Sequence, residues 1–166
     1  MQTPSKIISV SSHLPFDQCV STLRESIIRS GLEIVVELAV HREVKRKLGL
    51  GLPKYTIFTV WEPVIAYQAL TAEPEVPYFA LFNITVAEDG PHSVVMAPRT
   101  SLLASDSDSI GTKLINCTVG DKTVKALARV AATRLPARNH RDSLHPLSWL
   151  RRSVQYALRI VAGGTR

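Results

Sequence analysis

Trp61-Glu62-Pro63 closes the apolar run YTIFTVW and opens a helical period, so a carboxylate stands between a strand end and a helix start. Two roles suit such a group. Unpaired backbone N–H groups and the helix dipole stabilise it there as a cap, whereas apolar neighbours such as Trp61 would raise its pKa toward that of a general base. His41, which follows the run EIVVELAV, has the side chain whose unperturbed pKa lies closest to neutral, and it is the candidate partner in proton transfer. A surface histidine at a strand end is the structural alternative. With Tyr67 and Tyr78 in the following segment, His41, Trp61, Glu62, Tyr67 and Tyr78 form the candidate ligand-binding set, and no residue is assigned to catalysis. His13 and His92 are weaker candidates, expected to be solvated.

Other chemistries are poorly supported. Arg42, Lys45, Arg46 and Lys47 could hold an anion, but Glu43 dilutes the cluster and a solvated helix face is the simpler reading. Cys19 and Cys117 lie far apart with no CxxC spacing, so both read as small buried hydrophobes, and a disulfide between them is left to geometry. No Gly-rich phosphate loop, GxSxG elbow, HExxH or paired-carboxylate motif occurs, which removes the commonest hydrolase, kinase and metalloprotease readings. Neither a metal nor a cofactor is expected.

A chain of 166 residues with 45% hydrophobic content is of the size that makes one domain around one core. No apolar run reaches the roughly 20 residues of a membrane span, and MQTPSKIISVSS lacks the charged and apolar regions of a secretory signal, so the default compartment is the cytoplasm. The net charge of +6 is unevenly placed. Residues 1–133 hold 13 Lys or Arg against 13 Asp or Glu, whereas 134–166 hold seven Arg and only Asp142. Any anionic partner suggested by the high pI is therefore a partner of the tail.

Periodicity supplies the elements that must position the candidate residues. Ile7, Ile8 and Val10 predict a strand; Phe16, Cys19, Val20, Leu23 and Ile27, spaced by three and four, predict a helix stopped at Gly31. EIVVELAV predicts a strand running back beside the first, and HREVKRKLG one or two helical turns and a loop ending at Gly49 and Gly51. YTIFTVW reads as a strand, and Pro63 opens a helix to about Ala72. Residues 79–86 and 94–96 form a hairpin turned at Glu88-Asp89-Gly90, Ser101 to Thr118 favours a loop, and Val124, Leu127, Ala128, Ala131 and Leu135 give one more amphipathic helix. The fold class is α+β: a two-layer sandwich, mainly antiparallel sheet with helices on one face, plus a C-terminal amphipathic helix.

The order GLEIVVELAVHREVKRKLG, PKYTIFTVWEPVIAYQAL, EPEVPYFALFNITVAEDG and VVMAPRTSLLA resembles the domain-of-unknown-function family 302, whose members are similar to the TATA-box-binding-protein α+β fold. The resemblance spans roughly residues 6–135. His41 matches a family histidine after the second strand. The family's usual Asn-Pro is Glu62-Pro63 here, its frequent preceding Cys is Trp61, and its Leu-Pro-Cys is Val76-Pro77-Tyr78, so a thiol-dependent role does not carry over. The resemblance implies a fold more than an activity.

These readings place an α+β domain at 1–135 and a basic linker with an amphipathic helix at 136–166. The expected function is non-enzymatic small-molecule binding or regulation by a homodimer, with a pocket between sheet and helices at His41, Trp61, Glu62, Tyr67 and Tyr78. The first alternative is a cofactor-independent isomerase or lyase using Glu62 and His41. The second is a peripheral interaction protein acting through its basic tail, which could meet an anionic surface through Arg151, Arg152 and Arg159, whereas packing of the 147–161 helix on the domain or a second subunit is the structural alternative. No nucleic-acid reading module is recognisable, so nucleic acid is not an expected partner.

Overall fold

Alternation decides which side of each strand is buried. In Tyr55–Trp61 (β3), Thr56, Phe58 and Val60 are buried while the odd-numbered residues are partly exposed, as a half-covered strand requires. Leu81–Asp89 (β4) buries Phe82, Ile84 and Val86, and His92–Pro98 (β5) turns Val95 and Ala97 to the same side. The computed structural model describes residues 6–72, 81–99 and 115–133, all within the compact unit Met1–Arg134.

With Ile7–Ser12 (β1) and Glu33–Ala39 (β2), the described strands make an antiparallel five-stranded sheet in the order β1-β5-β4-β3-β2. The expectation that β2 lies beside β1 is corrected, because the two strands form opposite edges. The helix between them crosses the sheet. Gly31, at φ 76°, turns the chain after it into β2.

Phe16–Arg29 (α1) and Gly120–Ala132 (α4) lie on one face of the sheet. α1 contributes Phe16, Cys19, Val20, Leu23 and Ile27 to the core, as its spacing predicts. α4 buries Thr123, Ala126, Leu127 and Val130, one position out of step with the predicted stripe, and leaves Val124 exposed. The Thr123 hydroxyl donates to Val119 O at 2.8 Å, so a nominally polar residue enters the core satisfied.

Val40–Leu48 (α2) is longer than the one or two turns expected, and Gly49 closes it in the left-handed conformation. Pro63–Ala72 (α3) follows β3 as predicted. A π-helical turn at Ile115–Val119 precedes α4, where a loop is expected, and Cys117 is exposed there while Cys19 alone is buried. The sandwich therefore stands as expected. Tyr78, most of the Ser/Asp-rich segment and everything expected of 136–166, including Arg151, Arg152 and Arg159, lie outside the described residues. No helix among the described residues is long and apolar enough to cross a membrane.

Phe58 is fully buried at the centre of this core. Phe58→Ala should cost about 3–5 kcal/mol in denaturant unfolding, whereas Val36→Ala, on the exposed face of the edge strand, should change stability by less than about 1 kcal/mol.

Candidate functional site

Glu62 sits where β3 runs out and Pro63 begins α3. One carboxylate oxygen accepts the Ile65 N–H, closing the first turn of the helix, and the other accepts the Lys122 ammonium at 3.0 Å. Lys122 also donates to Gly31 O at 3.1 Å. One lysine of α4 thus joins the α1–β2 turn to the start of α3. Both side chains are well covered, with 12% of Glu62 and 25% of Lys122 exposed. Burial pushes the Glu62 carboxyl up, but the Ile65 N–H and the Lys122 ammonium together hold it below the ordinary carboxylate value. A carboxylate with both oxygens engaged and its pKa lowered is a poor general base.

His41 lies in the first turn of α2 and is spent on the backbone. Its Nδ1 accepts the Tyr55 N–H at 3.1 Å, and the ring stands edge-on to Phe16 with centroids 5.8 Å apart. This fixes the α2 start against the β3 start. The histidine and Glu62 mark opposite ends of a seven-residue strand, roughly 20 Å apart at strand rise. At that distance the two side chains do not meet, so the expected proton-transfer pair does not form.

The remaining candidates disperse as well. Trp61 Nε1 donates to Glu33 Oε2 at 3.2 Å, the residue directly across in β2, and by strand alternation it faces away from the helix layer. Tyr67 is 70% exposed on α3, and Tyr78 lies outside the described residues. His13 and His92 pack edge-to-face, 5.4 Å between centroids, and His92 is half-buried rather than solvated. The described residues hold no group of three or more His, Cys, Asp or Glu suited to a metal ion.

The space between sheet and helices, where a pocket is expected from sequence, is filled by Leu23, Ile27, Phe58, Ile84, Leu127 and Val130. A shallow depression of about 380 Å³ lies instead on the strands, lined mainly by Ile7, Tyr55, Asn83, Thr85, Met96 and Pro98. Register explains the grouping. Thr85 pairs with Met96 and Ile7 with Pro98, so their side chains share the face turned away from α1 and α4. Thr59 Oγ1 donates to Asn83 Oδ1 at 2.9 Å, leaving the Asn83 amide NH₂ to meet an acceptor.

Sequence reasoning misses both Lys122 and this lining. A lysine in the first turn of a helix opposes the helix dipole, which is a legible sign that a counter-charge is near. For the lining the sign is YTIFTVW itself, apolar on both alternating faces.

Comparison with known proteins agrees with the architecture. The family model described as Domain of unknown function DUF302 matches residues 8–130. A solved structure entitled "Crystal structure of uncharacterized conserved protein DUF302 from Bacillus stearothermophilus" is similar with a TM-score of 0.68 at 19% identity, covering 76% of this chain and 99% of that one. At that identity the likeness speaks for the fold alone. No curated protein matches the chain.

The Glu62 geometry carries a pH consequence. Because its folded-state pKa is lowered, its contribution to stability is complete above the ordinary carboxylate value and is lost as pH falls through the folded value. Glu62→Gln should cost roughly 1–3 kcal/mol at neutral pH. Its unfolding free energy, measured in urea from neutral to acid pH, should also fall less steeply than that of the unsubstituted protein.

Proposed function

We propose, from the premise that this chain belongs to the DUF302 family, that it is a non-enzymatic module binding a small, largely apolar ligand on the open face of its sheet. The observation that carries this reading is the division of labour between residues. Glu62 and His41, the groups best suited to proton transfer, are each committed to holding a helix start and stand at opposite ends of β3. The depression uses neither.

Its chemistry favours a particular kind of ligand. Ile7, Met96 and Pro98 give it apolar surface, while Asn83, Thr85 and Tyr55 bring an amide and two hydroxyls to the lining. About 380 Å³ lies at the lower end of the range of small-molecule sites. Among the described residues no charged side chain lines it. An apolar body with one carbonyl or carboxylate, met by the Asn83 amide, satisfies both parts of the lining.

Anilinonaphthalene sulfonate, an aromatic body with one anionic acceptor group, is a direct probe. Its fluorescence titration should saturate with the native protein, and Thr85→Trp, which fills the depression, should weaken binding about tenfold, near 1.4 kcal/mol. Tyr67→Ala, at an exposed candidate on α3, should leave the titration unchanged. Saturable binding that Thr85→Trp does not alter would remove the site from this face.

A further inference from the structure

The segment joining β2 to β3 carries more exposed apolar surface and more positive charge than a connection needs. α2 buries none of its nine residues. Val40 and Val44 are partly covered, and the stripe they begin runs on to Leu48, 66% exposed, then past Gly49 to Leu50 and Leu52, 41% and 42% exposed. A methyl group placed on Gly49 or Gly51 would meet no atom within 4 Å, so the loop is open on the Cβ side of both glycines. Three leucines within five residues are thus 41–66% exposed at the end of α2 and in the loop after it.

Cations precede them along α2. α2 holds Arg42, Lys45, Arg46 and Lys47 against one acid, Glu43, a surplus of four minus one, or +3. Arg46 engages Glu43 at 2.7 Å, which leaves Arg42, Lys45 and Lys47 as the surplus. At the far end of the loop Lys54 is balanced by Asp17 at 3.1 Å, and Glu88 accepts the Lys54 backbone N–H. The positive field therefore belongs to the helix beside the leucines and not to the loop's exit.

Each half of the feature excludes a different partner. A polyanion such as RNA would account for the cations but gives exposed leucines nothing to enter. An apolar groove on another protein would account for the leucines but gains nothing from the positive charge along α2. An anionic bilayer offers both in the right order, acyl chains beneath negatively charged headgroups. We propose that α2 and the 48–52 loop dock the protein on an anionic lipid surface, with Leu48, Leu50 and Leu52 entering the acyl boundary and Arg42, Lys45 and Lys47 meeting the headgroups.

Vesicle flotation of the full chain tests it. The protein should float with vesicles of phosphatidylcholine and phosphatidylserine, weakly or not at all with phosphatidylcholine alone, and less as salt rises. Replacing all three leucines by Ser should raise the lipid concentration for half-binding by about tenfold or more. Lys45→Glu with Lys47→Glu should do the same, and because none of the five side chains is buried both variants should keep the native far-ultraviolet circular dichroism. The leucine set also separates this surface from any attraction through the arginines beyond residue 134, since those are untouched in it. Equal flotation of the leucine variant and the native chain would overturn the proposal, as would absence of native binding. Sensitivity to the charge reversal alone would overturn it in favour of a soluble polyanion.

Discussion

A sheet has two faces, and the helices among the described residues are enough for one. Five strands set about 4.8 Å apart span roughly 20–25 Å, which two helices of about 10 Å diameter lying side by side can cover. α1 and α4 do this, and their apolar faces meet Phe58, Val60, Ile84, Val86 and Val95 in a single core. Among the described elements no third long helix crosses the other face. Everything that distinguishes that second face, its exposed Leu81 and Val36 and its shallow apolar depression, follows from this one shortage of cover.

The same arithmetic explains which parts of the fold were legible in the sequence. β3 and the buried face of α1 could be read closely, because strand and helix periods are local properties of a few consecutive side chains. Strand neighbours were not, since nothing within EIVVELAV says that its partner is YTIFTVW and not IISVSS. The α4 stripe slipped by one position for a different reason. Alanines lie on both sides of that helix, and a threonine that satisfies its own hydroxyl within the turn is as acceptable inside as a valine.

For the candidate site the legible part was again the local part. Glu62 could be recognised as a cap from Trp61-Glu62-Pro63, but its other partner, Lys122, lies 60 residues further on. The resemblance adds a physical point. The asparagine that the family usually carries before this proline caps a helix while neutral and needs no counter-ion. A glutamate there brings a charge into a covered position, tolerable only with a cation at hand, and Lys122 answers it while also holding the Gly31 carbonyl. Departure and lysine are best understood as one structural unit, which is why the carboxylate should be read as architecture.

The edge of the sheet bears on how the open face is used. β2 is an edge strand with Val35, Val36 and Leu38 exposed, a composition that invites another strand to add alongside. Two features oppose that. The register slips between Ile34 and Val36, so the backbone bulges, and Glu37 turns to the helix side, where Arg24 grips it with two hydrogen bonds of 2.7 and 2.9 Å. A bulged strand with an ion pair anchored behind it presents an irregular ladder to any incoming chain. Its exposed valines and leucine therefore serve the face of the sheet better than its edge, and contacts made there are side-chain contacts across the strands, the kind a small apolar ligand can share.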